Sequence, residues 1–198
     1  QNKWKKFLSI IMKMTNQNKT YRVIDNVLED GPFEQLQQLM MGNSFNWFYG
    51  PHKVYIEGDD RSKEEDALHN FQFFHPIYRN LKPVSEFYTH IKPLLKKINP
   101  IFIHRIKANC TPYTEEIKKF ELHTDVSFDC RTAVYYINSN NGYTYFENGE
   151  KVESVANRLV AFPSQMKHGG TTCTDTKTRV VINLNYLRKS DVNFVSSW

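Results

Sequence analysis

The feature that most constrains this chain is a change of period near residue 100. From there to residue 187, short segments rich in β-branched and aromatic residues alternate with turn residues. Ile101 to Ala108, Glu121 to Val126, Thr132 to Asn138, Tyr143 to Phe146, Lys151 to Val155, Arg158 to Phe162 and Arg179 to Tyr186 each read as a strand. Seven strands in so short a span predict a β-sandwich or barrel. Asn148-Gly149, between two such runs, is a hairpin signal, because a two-residue hairpin turn needs residues that tolerate positive φ. Asn140-Asn141-Gly142 marks another turn.

Before residue 100 the pattern is mixed. Tyr21 to Asp25 alternates like a strand, and Phe33, Leu36, Leu39 and Met40 share one helical face that ends at Gly42. Phe45 to Tyr49 reads as extended. A second helical pattern runs from Val84 to Ile98, with Pro93 expected to kink or split it. Phe71, Phe73 and Phe74 read as core or pocket wall. Gly50 to Ser62 gathers Gly, Pro and charged residues and reads as a mobile loop, and Cys110 to Lys119 as a second loop; both are expected to act as lids. Gln1 to Met14 reads either as a short amphipathic helix or as sequence upstream of a start at Met14. These readings make 1–198 a single domain, with 1–100 supporting a β core at 101–187 and a tail at 188–198.

The longest apolar stretches are short and broken by Lys, His or Asn, which excludes a membrane-spanning helix. An aromatic content of 14% excludes disorder. The net charge of +5 is spread over both halves, which disfavours a dedicated nucleic-acid surface without excluding a nucleic-acid partner. Cys110, Cys130 and Cys173 are far apart and odd in number, and fit neither a zinc site nor a disulfide framework. They read as thiols of a cytoplasmic protein.

His123-Thr124-Asp125 places two metal-ligand side chains two residues apart, on one face if the segment is a strand. With 7 His in the chain, an H-x-D is expected roughly 0.3 times by chance, so the motif alone carries little. A third ligand type, His168, follows four predicted strands later. Two imidazoles and a carboxylate form the set that non-haem Fe(II) oxygenases use, since three ligands on one face leave positions open on the other. Zinc hydrolases use the same donor types but need a positioned general base, and no separate motif supplies one. Arg179 opens the last long strand; a guanidinium there is either an ordinary strand-edge charge in water or the fixed partner of an anion. His52, His69, His75, His90 and His104 have no partner at ligand spacing.

In this order and at these intervals, His123, Asp125, His168 and Arg179 resemble the Fe(II)- and 2-oxoglutarate-dependent oxygenases with a double-stranded β-helix (jelly-roll) core. The likeness is to the prolyl-4-hydroxylase-like branch, which includes small phage and marine microbial members. It covers about residues 101 to 187. It implies a mainly β fold with flanking helices, an iron site at His123, Asp125 and His168, and a cosubstrate site in which Arg179 and the Tyr136 hydroxyl hold the distal carboxylate. Asn141-Gly142-Tyr143-Thr144-Tyr145-Phe146 resembles the family's Gly-Gly-x-Thr-x-Phe segment with Asn141 in place of one glycine. On the strand carrying Ile103 to Asn109, where the family often has a further tyrosine, none is present, and Asn109 or Lys107 is expected to substitute. The resemblance implies a dioxygenase that consumes 2-oxoglutarate and O2 and hydroxylates a substrate, with a peptidyl proline or other protein side chain first in line. Nucleic-acid or small-molecule substrates, and a β-helix that binds without turnover, are the alternatives.

Overall fold

The computed structural model describes residues 21–51 and 70–191. The expectations for Gln1 to Met14 and for most of the Gly50 to Ser62 loop lie outside them. Among the described residues, eleven strands form two antiparallel sheets. The large sheet has the order β1 (Arg22–Ile24), β9 (Leu159–Pro163), β6 (Arg131–Tyr136), β11 (Thr178–Leu187), β5 (Phe102–Pro112), β3 (Gln72–Arg79) and β2 (Phe48–Gly50), with β4 (Lys82–Pro83) paired to β3. The small sheet has the order β10 (His168–Gly170), β7 (Tyr143–Phe146), β8 (Lys151–Glu153). This is the mainly β, double-stranded β-helix architecture with flanking helices.

Period-two alternation assigns each residue of the central strands to one of two environments. Ile106, Ala108 and Cys110 of β5, Ala133 and Tyr135 of β6 and Val180, Ile182, Leu184 and Tyr186 of β11 face one way. They pack against Leu36 and Met40 of α1 (Asp30–Met41) and Leu94, Leu95 and Ile98 of α2 (Lys92–Ile98). The alternate residues face the interior. There Val134, Tyr136, Val160, Phe162 and Val181 join Phe146 and Val152 of the small sheet in a second, smaller core. The rest of that interior face is polar: Arg105, Lys107, Asn109 and Thr111 on β5, and Arg179, Asn183 and Asn185 on β11. Polar residues in period with a buried face are what a ligand cavity requires.

Several local expectations are corrected. Glu121 to Val126 is not a strand; its only ladder contact is the isolated bridge His123↔His168, because the chain bends at Asp125 and again over 127–129. Val84 to Ile98 is split near Pro93 as expected, into a 3-10 turn over Glu86–Ile91 and α2, with Pro93 in the first turn of α2, where its missing N–H is not needed. Cys110 to Lys119 does not begin as a loop: β5 runs to Pro112, and buried Thr114 donates its hydroxyl to Thr172 Oγ1 at 2.6 Å, so this segment is anchored rather than a free lid. The unforeseen strand β3 contains Pro76, where its pairing with β5 slips register. The Asn148-Gly149 turn forms as expected between β7 and β8, with Gly149 at φ 84°.

Candidate metal centre and anion pocket

The interior faces of the two sheets enclose a cavity of about 660 Å³. His123 and His168 are brought together by a two-residue bridge in which each backbone N–H donates to the other's carbonyl at 3.0 Å. Asp125, two residues on, swings into the same space. The three side chains offer ligand atoms that all lie within 4.8 Å of one another. His123 Nε2 is 3.8 Å from Asp125 Oδ1, and His168 Nε2 is 4.0 Å from Asp125 Oδ2.

The imidazole tautomers are set by the backbone. His123 Nδ1 lies 3.0 Å from Glu121 O and His168 Nδ1 lies 3.3 Å from Met166 O. A carbonyl accepts only, so each Nδ1 carries the proton and each Nε2 presents a lone pair toward Asp125. Burial also holds His168 below its ordinary pKa, keeping it neutral.

Asp125 is held by the sheet floor. Arg105 of β5 and Asn185 of β11 are paired in register, as are Asn185 and Thr132 of β6. Arg105 Nη2 is 3.1 Å from Asp125 Oδ1, Asn185 Nδ2 donates to Asp125 Oδ2 at 3.2 Å and to Thr132 Oγ1 at 3.0 Å, and Arg105 Nε donates to Asn185 Oδ1 at 3.2 Å. Burial works to raise the Asp125 carboxyl, but the fields of His168, Arg105 and His123 and the Asn185 hydrogen bond outweigh it, leaving the pKa below the ordinary value. Two imidazoles whose Nε2 atoms face one oriented carboxylate suit a divalent first-row metal ion.

Arg179 occupies the same cavity. It is 3% exposed, not a strand-edge arginine in water, and its partners are neutral: Nε donates to Ser154 Oγ at 2.8 Å and Nη2 to Thr144 Oγ1 at 3.2 Å. Its guanidinium carbon lies 5.5 Å from the centre of the Tyr136 ring. Gly142 makes room for it, since a Cβ there would fall 2.8 Å from Arg179 Cδ and 2.6 Å from Thr172 O. Burial pushes the guanidinium below its ordinary pKa, and no carboxylate among the described residues forms a salt bridge with it.

Tyr136 lies behind the cavity wall. Its hydroxyl donates to Thr144 Oγ1 at 2.8 Å, and Thr144 is the residue that lines the cavity beside Arg179. Asn109 lines it too, 7% exposed, with its Oδ1 lacking a hydrogen-bond partner among the described residues. The sequence reading gave no site role to Arg105, Asn185, Thr144 or Ser154. Arg105 and Asn185 were detectable as polar residues in phase with Asn109 and Arg179, and Thr144 as the threonine of the Gly-Gly-x-Thr-x-Phe-like segment; Ser154 carries no signal without the fold. His75, read as structural, is so: its ring nitrogens meet Asn46 O at 2.6 Å and Ser85 Oγ at 2.7 Å.

No helix among the described residues is long and apolar enough to cross a membrane. No protein-family model and no curated protein matches the chain. Solved structures do. A prolyl hydroxylase from Trichoplax adhaerens, in complex with a hypoxia inducible factor peptide fragment, superposes with a TM-score of 0.59 at 16% identity, covering 100% of this chain and 98% of its own. A 2OG-Fe(II) oxygenase family oxidoreductase from Burkholderia pseudomallei gives 0.59 at 10% identity, covering 86% of each chain. HygX from Streptomyces hygroscopicus, with nickel and 2-oxoglutarate bound, gives 0.53 at 9% identity, covering 87% of this chain and 84% of its own. The chain has the fold of the 2-oxoglutarate/Fe(II) oxygenases.

Proposed function

We propose that this protein is an Fe(II)- and 2-oxoglutarate-dependent dioxygenase that hydroxylates a protein side chain, with a peptidyl proline as the first candidate. The observation that carries the reading is the pairing, in one cavity, of a convergent His123, Asp125 and His168 set with a buried Arg179 that has only neutral partners. A dicarboxylate whose keto-acid end meets a metal while its far carboxylate meets Arg179 satisfies both. The peptide fragment in complex with the Trichoplax prolyl hydroxylase supports the substrate class.

His123, Asp125 and His168 would hold the iron, which, when bound with 2-oxoglutarate and O2, supplies the oxidation: one oxygen atom goes to succinate as CO2 leaves, the other into a substrate C–H bond. The chain's residues orient the reactants. The Nδ1–H bonds of His123 and His168 fix both lone pairs, and Arg105 and Asn185 orient the Asp125 carboxylate through Oδ1 and Oδ2. Arg179 offers the N–H groups it does not spend on Ser154 and Thr144 to the far carboxylate. Thr144 Oγ1 accepts from both Tyr136 and Arg179, so its own proton is free to donate into the cavity. Succinate formation with added Fe(II) and 2-oxoglutarate tests the reading; none above a no-protein control would refute it. A gain of one oxygen on proline-containing peptides, read by mass spectrometry, tests the substrate class. The cytoplasmic assignment is part of the same proposal, and rests on three buried cysteines that form no disulfide among the described residues.

A further inference from the structure

We infer that Arg79 and Lys82, at the outer edge of the large sheet, form a cationic exosite for an acidic segment of a protein substrate, with the exposed Leu81 as its apolar contact. The inference rests on the reading that the substrate is a protein. A row of residues in register crosses the sheet at the metal end. Thr132 of β6 pairs with Asn185 of β11, and Asn185 with Arg105 of β5. Beyond the register slip at Pro76, β3 resumes its pairing at Tyr78↔Ile106, which brings Arg79 level with Arg105; on its other side Arg79 pairs with Lys82 of β4. Tyr78 and Ile106 pack on the helix side, so Arg79, one position on, and Lys82 opposite it share the face of Arg105. With adjacent strands ~4.8 Å apart, they lie roughly 5 and 10 Å outward from Arg105, beyond the residues that line the cavity.

The charges along this row are not balanced. Arg105 is paired with Asp125, whereas Arg79 and Lys82 are exposed and form no salt bridge among the described residues. Residues 79–85 contain no Asp or Glu. Like charges directly opposite each other on paired strands repel, an arrangement that an anionic partner turns favourable. The turn that joins them is strained. Asn80 and Leu81 have φ 52° and 60°, and a leucine in the left-handed region costs more than the asparagine or glycine such a turn ordinarily carries. That leucine is 65% exposed, so packing within the protein offsets little of the cost. A leucine held in water beside two unpaired cations suits an extended peptide that carries both carboxylates and apolar side chains. A nucleic acid fits less well, because its phosphates use the cations but not the leucine. The row also leads to the right place: from Arg105, which holds the Asp125 carboxylate, to Lys82 is about 10 Å of sheet, or about three residues of extended polypeptide. A substrate with one residue at the metal centre thus reaches the exosite with its near flank.

Fluorescence anisotropy tests this with three labelled probes: a peptide of alternating Glu and Leu, its Gln/Leu counterpart, and an oligothymidylate. The protein is used with Zn(II) and 2-oxoglutarate present, so that no turnover intervenes. The wild type should bind the Glu/Leu peptide about fivefold or more tighter than the Gln/Leu peptide, and the preference should shrink as salt rises. Combining Arg79→Gln with Lys82→Gln should abolish that preference. Leu81→Asn should weaken both peptides while raising the melting temperature, because asparagine accepts the left-handed turn more readily. Equal affinity for the Glu/Leu peptide in the wild type and the double variant, or no binding of it by the wild type, overturns the inference. Oligothymidylate bound more tightly than the peptide through the same two side chains also overturns it, and makes the partner a nucleic acid. Succinate formation by the wild type is measured separately: its absence refutes the dioxygenase reading, while the anisotropy still reports on Arg79 and Lys82. The double variant should melt no lower than the wild type, because it removes a repelling pair; should it fail to fold, Arg79→Gln alone repeats the titrations.

Discussion

The two ends of the cavity treat buried charge in opposite ways. At the metal end, Asp125 is compensated from within the protein, by Arg105 at 3.1 Å and Asn185 at 3.2 Å. At the anion end, Arg179 is surrounded by hydroxyls and an aromatic face and has no described counter-ion. The first end is neutralised and oriented before anything binds; the second holds a charge that only a ligand can neutralise. Metal affinity should therefore depend on geometry the chain already has, and cosubstrate affinity on a desolvation cost already met in folding.

The largest effect that could break this contrast is at Asp125. Asp125→Ala removes the only anionic ligand of the set, so bound iron and succinate formation should both fall to background. It also strands Arg105 and the Asn185 amide, so the variant should melt below the wild type. Retained metal, measured by elemental analysis, would show that the carboxylate is structural and the centre misassigned.

Arg179 should respond in the opposite sense. Arg179→Met deletes a buried unpaired cation, so in the absence of ligand its melting temperature should match or exceed that of the wild type. The ligand response should vanish: at 100 times its Kd, 2-oxoglutarate stabilises the wild type by about 2.7 kcal/mol and should leave the variant unmoved. Arg179→Lys should weaken 2-oxoglutarate about tenfold or more with metal affinity unchanged, because an ammonium cannot reproduce the planar fork. A ligand-free Arg179→Met that melts well below the wild type would erase the difference between the ends.

The two ends also differ in how they could be read from sequence. Period two is strong on β5, β6 and β11, where β-branched and aromatic residues face the helices on every second position, so the sheet was legible there. It failed at β3, where Pro76 disguises the pattern, and at 121–126, where composition favours a strand but a single bridged pair suffices to deliver His123 to His168. The clustering of His123, Asp125 and His168 was legible because they are rare residue types at defined intervals. The groups that tune it were not. Asn185 holds Asp125 from 60 residues away, and Ser154 reaches Arg179 from 25, contacts that exist only once the sheets close. Tyr136 was expected to face the cosubstrate directly, but the fold puts Thr144 between its hydroxyl and the cavity.

pH offers a third and smaller contrast. His168 and Asp125 both titrate below their ordinary values in the folded protein. For either group the folded state binds protons less readily than the unfolded chain, so its contribution is complete above the unfolded pKa and is lost as pH falls through the folded one. For His168 that loss begins below about pH 6.5. Metal-free wild-type protein should lose stability from pH 7 toward pH 5, by less than about 1.4 kcal/mol per unit from this one group. His168→Gln should flatten that slope in denaturant titrations, and Arg179→Met should leave it unchanged, since a guanidinium does not titrate there. Equal slopes in all three would remove His168 as its source.

The smallest effect is expected at Tyr136, which sharpens the account of the anion end. Its hydroxyl donates to Thr144 Oγ1 rather than to the cavity, and Arg179 donates to the same oxygen. With both acceptor positions of that hydroxyl taken, the Thr144 proton is left to point at a ligand. Tyr136→Phe keeps the ring under Arg179 and removes one of the two donors, so Thr144 can rotate and its proton is no longer directed. The loss is that of a neutral hydrogen bond acting through an intermediary, about 0.5 to 1.5 kcal/mol, or a few-fold in 2-oxoglutarate affinity. Thr144→Val, which removes the donor itself and an acceptor for Arg179, should cost more than Tyr136→Phe, and adding Tyr136→Phe to it should cost little further. A Tyr136→Phe effect as large as that of Arg179→Lys, or full additivity with Thr144→Val, would mean that the phenol touches the carboxylate directly.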